Sequence, residues 1–337
     1  MVSKTNRRRQ SGAAILLALL IMTLVATLAA GMVWLQWRGI EVEGAERART
    51  QAEWLLNASL DWGNLILKSQ TRNGQTEDDL GQPWATPLAE TKLSSFLSAD
   101  GNHESDGGPE AYLSGQITDA DGKYNVFNIL LDQTKFEEIN RLRMLCTAVG
   151  VPADTADKIG AGLRDSQSAA QNAANGQAGN SVLMPIQVED LAWFGVDPKV
   201  IKQLKPFIQL LPFPLGTTAM TTINANTAPA EVLVAALPGL SLSQAQQVVL
   251  ARQTHPFQAQ KDIWLALGSA AANPWQNPNA APSPQQNQVD VKSFHFEIYG
   301  QLRYEQHVIR ERSVVWRQNP FTPIQVLRRE RIPPDAT

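Results

Sequence analysis

Acidic side chains gathered in turn-rich stretches are the residues of this chain best suited to chemistry. They form three groups: Glu77-Asp78-Asp79; Asp100, Glu104, Asp106 and Glu110; and Asp119 with Asp121. Oxygen-rich loops of this kind can hold Ca2+, a hard cation that takes roughly six to eight oxygen ligands. The Asp-Gly pairs are equally ordinary turn residues, and the spacing maps no ligand set onto particular positions. His103, His255, His295 and His307 are scattered and do not pair at metal spacing. Cys146 is the only cysteine, so no intrachain disulfide can form, and it lacks an evident His partner. No Gly-x-Ser-x-Gly elbow, phosphate loop or His-Glu-x-x-His stands in the chain. The chain reads as a non-enzyme.

Phosphate binding is the other chemistry that the spacing raises. Ile223-Asn224-Ala225-Asn226-Thr227-Ala228 leads into Pro229–Leu237, then Pro238-Gly239-Leu240, then Gln244–Arg252. Thr227 is the expected N-cap, with Pro229 in the first turn. The order is similar to the helix-hairpin-helix of competence-type DNA receptors, which makes a membrane-anchored periplasmic DNA receptor the alternative function. A DNA-binding hairpin places two glycines so that two backbone amides meet phosphate. Here Ser241 takes the place of the second, and Arg252 is the only cation between Asn224 and Gln260. Phosphate contact without clustered cations has little to hold it at physiological salt. The segment therefore reads as a structural hairpin, with no nucleic acid as partner.

The N-terminus says where these residues are displayed. Lys4, Arg7, Arg8 and Arg9 precede Gln10-Ser11-Gly12, and the next charge is Arg38. The uncharged run is long enough to cross a bilayer, which takes roughly 20 residues of helix. Cations on the leading flank keep that end in the cytoplasm, and Trp34 and Trp37 suit the far interface. Three readings compete. A secretory signal peptide has a shorter core and a small-x-small site after it. A plain signal anchor keeps the whole segment. A third reading cuts after Gly12, discards the basic leader and keeps the helix from Ala13.

That third pattern resembles the class III signal sequences of type IV pilins and type II secretion pseudopilins. In those, a prepilin peptidase cuts after Gly and methylates the new N-terminus, here Ala13. Most pilins carry Glu at the fifth mature position, which is Leu17 in this chain. The minor pseudopilin K (GspK) family of type II secretion typically lacks that Glu. Two further stretches resemble the same family. One is Asp79-Leu80-Gly81-Gln82-Pro83-Trp84-Ala85-Thr86-Pro87-Leu88. The other is Asp119-Ala120-Asp121-Gly122-Lys123-Tyr124-Asn125-Val126-Phe127-Asn128-Ile129-Leu130, where Tyr124 replaces the usual Phe. The Ile-Asn-x-Asn-Thr-Ala segment is usual there too. The resemblance implies an inner-membrane, single-pass protein with its bulk in the periplasm, at the tip of the pseudopilus. It implies minor pseudopilins I and J, other pseudopilins and the prepilin peptidase as partners, and Ca2+ as a possible ligand.

The expected fold class is α+β, a type IV pilin-like fold. A long N-terminal transmembrane helix packs on an antiparallel sheet, with a large inserted helical domain and a helix-hairpin-helix-like segment. Residues 1–12 form the leader, 13–37 the transmembrane helix and 38–72 its periplasmic half, where Ala45, Ala48, Ala52, Leu55, Ser59, Trp62 and Ile66 recur at steps of three and four. Asn73-Gly74 closes that helix. Residues 73–130 hold pilin-like strands and loops, with Tyr112–Thr118 and Lys123–Phe127 expected to pair across the turn Asp119–Gly122. Residues 131–215 form the inserted helical domain, with Thr134 a cap and a loop over 167–181, and 216–270 the second helical segment. Residues 271–288 are loop. Residues 289–318 supply the C-terminal strands, in which Phe294, Phe296, Ile298, Leu302 and Tyr304 alternate with polar residues. Residues 319–337 are a tail. The chain has 337 residues and a net charge of −3, or −7 without the four leader cations, so its mature form is acidic.

Overall fold

The computed structural model describes residues 11–72, 77–92, 111–131, 135–176, 183–213, 220–237, 239–267, 288–304, 307–319 and 322–333. The chain divides into two compact units, Met1–Leu55 and Leu56–Thr337. The expected turn at Asn73-Gly74, the Thr134 cap, the acids from Asp100 to Glu110 and nearly all of the 271–288 loop lie outside the described residues.

Helix α1 runs Ser11–Arg72 without a proline and with many Ala and Leu, which favour helix. Within the first unit the large apolar side chains of its uncharged run stand exposed, among them Ile15, Leu16, Leu20, Met22, Leu28 and Trp34. The hydroxyls of Thr23 and Thr27 donate to the carbonyls of Leu20 and Leu24, both at 2.9 Å, so even the polar groups of this run are satisfied within the helix. This is one helix long and apolar enough to cross a membrane.

In the second unit the rest of α1 lies on a five-stranded antiparallel sheet, β1 (Leu88–Lys92), β2 (Ala111–Asp119), β7 (His295–Tyr304), β8 (His307–Trp316) and β9 (Gln325–Ile332), in the order β1-β2-β7-β8-β9. Leu60 and Leu67 bury one helical face against Ile117, Phe296, Ile298 and Val315. Glycines let the layers close: a Cβ on Gly63 would stand 3.1 Å from Ile298 Cγ2, and one on Gly300 3.1 Å from Leu56 Cδ1. The helix therefore runs opposite to β7. Its last turns end where β7 begins, and there Arg317 donates to the carbonyl of Leu67 at 3.2 Å. Trp84, in the Gly-Gln-Pro-Trp-Ala stretch, plugs that end and meets Phe296 edge-on at 5.3 Å.

The helical lobe is carried on the connection between the neighbouring strands β2 and β7. It contains α2 (Lys135–Val149), α3 (Asp154–Ala174), α4 (Pro198–Leu204), α5 (Ala230–Ala236), α6 (Leu242–Thr254) and α7 (Gln260–Leu267). Two short parallel pairs complete it: β3 (Tyr124–Asn125) with β4 (Ile208–Gln209), and β5 (Ile223–Asn224) with β6 (Val289–Asp290). A single apolar core extends from Tyr124 to Val291.

Four expectations are corrected here. Lys123–Phe127 does not form a hairpin with β2, because Tyr124, Val126 and Phe127 are all buried in the lobe core and β7 fills the place beside β2. Of the loop expected over 167–181, the part up to Ala174 is helix, since α3 continues on alanines that sustain it, and 177–181 lies outside the described residues. The core does not break between 215 and 216: Arg141 of α2 donates to the carbonyl of Ala236 in α5 at 2.7 Å. The expected tail from 319 contains β9, paired with β8 from Arg310↔Ile332 to Trp316↔Gln325.

Candidate functional site

Five segments meet where lobe and sheet join, and each brings a buried polar side chain. Asp78 follows α1, Asp119 ends β2, and Asp121 sits in the turn after it. Asn224 and Thr227 come from the turn ahead of α5, Ser293 and His295 enter β7, and Arg317 leaves β8. All are buried except Thr227, which is half-buried.

Arg317 Nη2 donates to both oxygens of Asp78, at 2.7 and 2.6 Å, and to the Ser293 carbonyl at 2.9 Å. Its guanidinium also lies over the Phe296 ring, 4.5 Å from the centroid. Asp78 Oδ2 accepts the Ser293 amide at 2.9 Å. Asp121 Oδ2 accepts the amides of Phe294 at 2.6 Å and His295 at 3.0 Å, while Oδ1 meets His295 Nδ1 at 2.9 Å. Asp119 Oδ1 accepts the Asp121 amide at 2.8 Å. Asp119 Oδ2 accepts from Asn224 Nδ2 at 3.0 Å, from the Ser293 hydroxyl at 2.6 Å and from the Thr227 hydroxyl. Gly122 permits that approach, since a Cβ there would stand 3.0 Å from Thr227 Oγ1.

Burial dominates the electrostatics. It pushes the Asp119 carboxyl up to about 7, reinforced by the charge of Asp121 and opposed by the Ser293 and Thr227 hydroxyls. Burial also raises the Asp78 carboxyl, in spite of Arg317. The cluster is a fastener by its chemistry. Its carboxylate oxygens face N–H and O–H hydrogens, which is the wrong polarity for ligating Ca2+, so these acids do not fit the ion. Asp79 Oδ1 is likewise turned to the Gly81 amide at 2.7 Å. Among the described residues no group of three His, Cys, Asp or Glu is placed to hold a metal ion.

The hairpin segment is absorbed into the same construction. Thr227 does not cap α5: Pro229 takes that position, and the Thr227 hydroxyl is drawn to Asp119 instead. Asn226 exchanges two hydrogen bonds with the backbone of Phe257, both at 2.9 Å. Gly239 turns the chain at φ +92°, and Ser241 caps α6 through Gln244. Arg252 is buried, with Nη1 donating to the carbonyls of Ala225 and Ala228, both at 2.6 Å. The one cation of the segment thus faces inward, and burial lowers it to about 10.

Gly12, Ala13 and Leu17 all lie in α1, and the side chains of Ala13 and Leu17 are exposed. His295 enters the buried cluster, His255 follows α6 at the surface, and Cys146 is buried in the lobe. Asp78, Ser293 and Arg317 escaped the sequence reading as partners. The one available signal was the pair Asp119 and Asp121 beside a strand end.

A family model described as type II secretion system (T2SS), protein K, matches residues 223–285. Type II secretion system protein K of Pectobacterium carotovorum subsp. carotovorum is 26% identical over 330 residues, 92% of this chain and 93% of that protein. The Pseudomonas aeruginosa protein of the same name is 25% identical over 289 residues, 79% of this chain and 80% of that one. Over most of its length this chain is similar to type II secretion system protein K. A solved structure, the GspK-GspI-GspJ complex from enterotoxigenic Escherichia coli, contains a chain with the same fold. Its TM-score is 0.61 at 18% identity, over 86% of this chain and 98% of that one. The match to the family model opens at Ile223, so it includes the Asn224 and Thr227 contacts and the hairpin up to α7.

Proposed function

We propose that this chain is the minor pseudopilin that caps the pseudopilus tip in complex with minor pseudopilins I and J. There it helps initiate the filament that exports folded proteins across the outer membrane. The observation that carries the reading is the position of the lobe. It sits on the end of the sheet at which α1 terminates. A body of that size at that end leaves no room for a further subunit to stack beyond it.

The N-terminal features support the same role. A prepilin peptidase would cut between Gly12 and Ala13 and methylate Ala13, leaving the helix in the inner membrane with the bulk periplasmic. The leading cations favour that orientation. An isolated carboxylate at membrane depth costs roughly 2.5–3.5 kcal/mol on insertion scales. Other pilins offset it by engaging the N-terminal amine of the subunit ahead. A first subunit has none ahead, which agrees with Leu17 in place of Glu.

Two measurements test this. Mass analysis of the N-terminus from native membranes is expected to find a methylated Ala13; an intact Met1 or a start beyond residue 37 overturns the processing. Immunogold labelling of overproduced pseudopili is expected to mark one end only, and label along the shaft would overturn the tip assignment.

A further inference from the structure

A small polar cleft opens where the lobe crosses the outer face of the sheet. Glu297 and Val314 mark that face, since they alternate along their strands with Ile298 and Val315, which pack on α1. Four cations line the cleft: Lys123 after β2, Lys205 after α4, Arg312 of β8 and Arg328 of β9. Glu189 and Glu297 line it as well, and Glu330 of β9 reaches Arg312 from the side. Its volume is about 60 Å3, room for a few waters. The cleft shares no side chain with the buried cluster around Asp119.

The charges around it do not balance. Lys205 Nζ pairs with Glu189 at 2.6 Å, and Arg312 pairs with Glu297 at 3.3 Å and with Glu330. Glu330 also accepts from Gln187 Nε2 at 3.1 Å. Lys123 has no acid partner among the described residues. Arg328 donates through Nη1 to the Ile186 carbonyl, but its Nε–H is buried and meets no acceptor among the described residues. Glu330 Oε2 lies 4.0 Å from that nitrogen, out of hydrogen-bond reach. Four cations thus meet three acids, and one positive charge is left over. A buried donor without an acceptor is costly, and folded proteins seldom keep one unless water or a ligand satisfies it.

We propose that the cleft receives a carboxylate, carried on an acidic side chain of a docked protein and held by the Lys123 ammonium and the Arg328 Nε–H. Both hydrogen bonds would be charge-assisted, the stronger class. The surplus charge is one, which matches a monoanion, whereas a dianion such as phosphate would be repelled by the acids in the wall. The volume admits the tip of a side chain and no whole metabolite, so the carrier stays outside the cleft. Ile186, Leu211 and Val314 supply apolar wall for its methylenes. A side chain seated there joins the entry of the lobe at Lys123 to the sheet edge at Arg328. The site does not depend on the tip assignment.

Thermal unfolding of the full chain in uncharged detergent micelles tests this, with propionate, the tip of a glutamate side chain, exchanged for chloride at constant ionic strength. Propionate is expected to raise the wild-type midpoint by about 2–4 °C. Propionamide, its neutral isostere, should leave the midpoint unchanged. Pivalate, whose carboxylate is crowded by methyl groups, should have little effect. Lys123→Gln should lose the rise, and Lys123→Arg should keep most of it. No rise with propionate overturns the proposal, as does an equal rise with propionamide or pivalate, or a rise that survives Lys123→Gln. A rise several times larger with succinate would mark a free dicarboxylate as the ligand and overturn the side-chain source. Should Lys123→Gln fail to fold, the ranking of propionate over propionamide and pivalate in the wild type still decides.

Discussion

Arg317 holds both carboxylate oxygens of Asp78 through one nitrogen, at 2.6 and 2.7 Å, although the two residues are 239 positions apart in the chain. The pair ties the segment after α1 to the exit of β8, and both side chains are more than nine-tenths buried. Removing one partner of a buried ion pair strands the other charge and costs about 3–5 kcal/mol. Arg317→Ala should lower the stability of the full chain in micelles by that amount, read from the denaturant midpoint. Replacing Asp78 with Leu in the same chain should restore part of it. A single variant within about 1 kcal/mol of wild type, well below the cost of breaking a buried pair, would show that the pair does not hold this end of the sheet.

Gly162 of α3 is pressed by Phe194, whose ring carbons would stand 2.2 and 2.3 Å from an added Cβ. Ring and helix cannot both stay in place, and overpacking of this kind costs about 1–3 kcal/mol. Gly162→Ala is expected to lower the thermal midpoint, and Phe194→Leu in the Gly162→Ala background should recover part of the loss. If Gly162→Ala melts with the wild type, the contact is not tight in solution.

Arg252 separates the structural reading of the hairpin from the nucleic-acid one. Its hydrogen bonds to the carbonyls of Ala225 and Ala228 are charge-assisted, a class worth roughly 1.5–3 kcal/mol each. Arg252→Met should therefore destabilise the chain by several kcal/mol. Fluorescence anisotropy with a labelled DNA duplex should show no binding that weakens between 50 and 200 mM salt, before or after the substitution. Salt-dependent wild-type binding lost in Arg252→Met would favour the DNA receptor.

Cys146 is fully buried, and burial pushes its thiol up from 9.0 to about 12. The thiolate is the reactive form, so a disulfide reagent at pH 8 should leave the native thiol untouched and label it promptly in denaturant. Because the folded value lies above the unfolded one, Cys146 favours the folded state below about pH 9. That contribution is lost as pH rises toward 12. Prompt labelling of the folded chain would contradict the burial.

Much of the sheet was legible in local pattern. The alternation of Phe296, Ile298, Leu302 and Tyr304 marks a strand with one buried face, and β7 is that strand. The apolar run that ends at Trp37 marks the first helix equally well. The last strand was hidden because β9 is an edge whose Arg328, Arg329, Glu330 and Arg331 interrupt any alternation, as is usual for edges protected against pairing. The residues after Ser166 looked like a loop by their low complexity, yet alanine carries helix even without an apolar pattern. The buried cluster was the least legible part. Asp119, Asn224, Ser293 and Arg317 come from distant segments, and periodicity carries no information on which polar residues will meet. Thr227 has the local context of a cap, and only the fold brings it and Asn224 to Asp119.

Thr118 and Glu297 are hydrogen-bonded neighbours in the sheet yet stand 179 residues apart in the chain. A strand pair that distant closes slowly from an open chain, because loop entropy must be spent before any contact is won. The lobe core, by contrast, unites residues that all fall between those two strands. Order of assembly follows: the lobe can condense while its flanking strands hang loose, and its completion draws Asp119 and Ser293 together. For a chain that emerges N-terminus first, β2 must wait unpaired until β7 arrives, and the folded lobe shortens that wait by acting as the splint that brings the two ends into register.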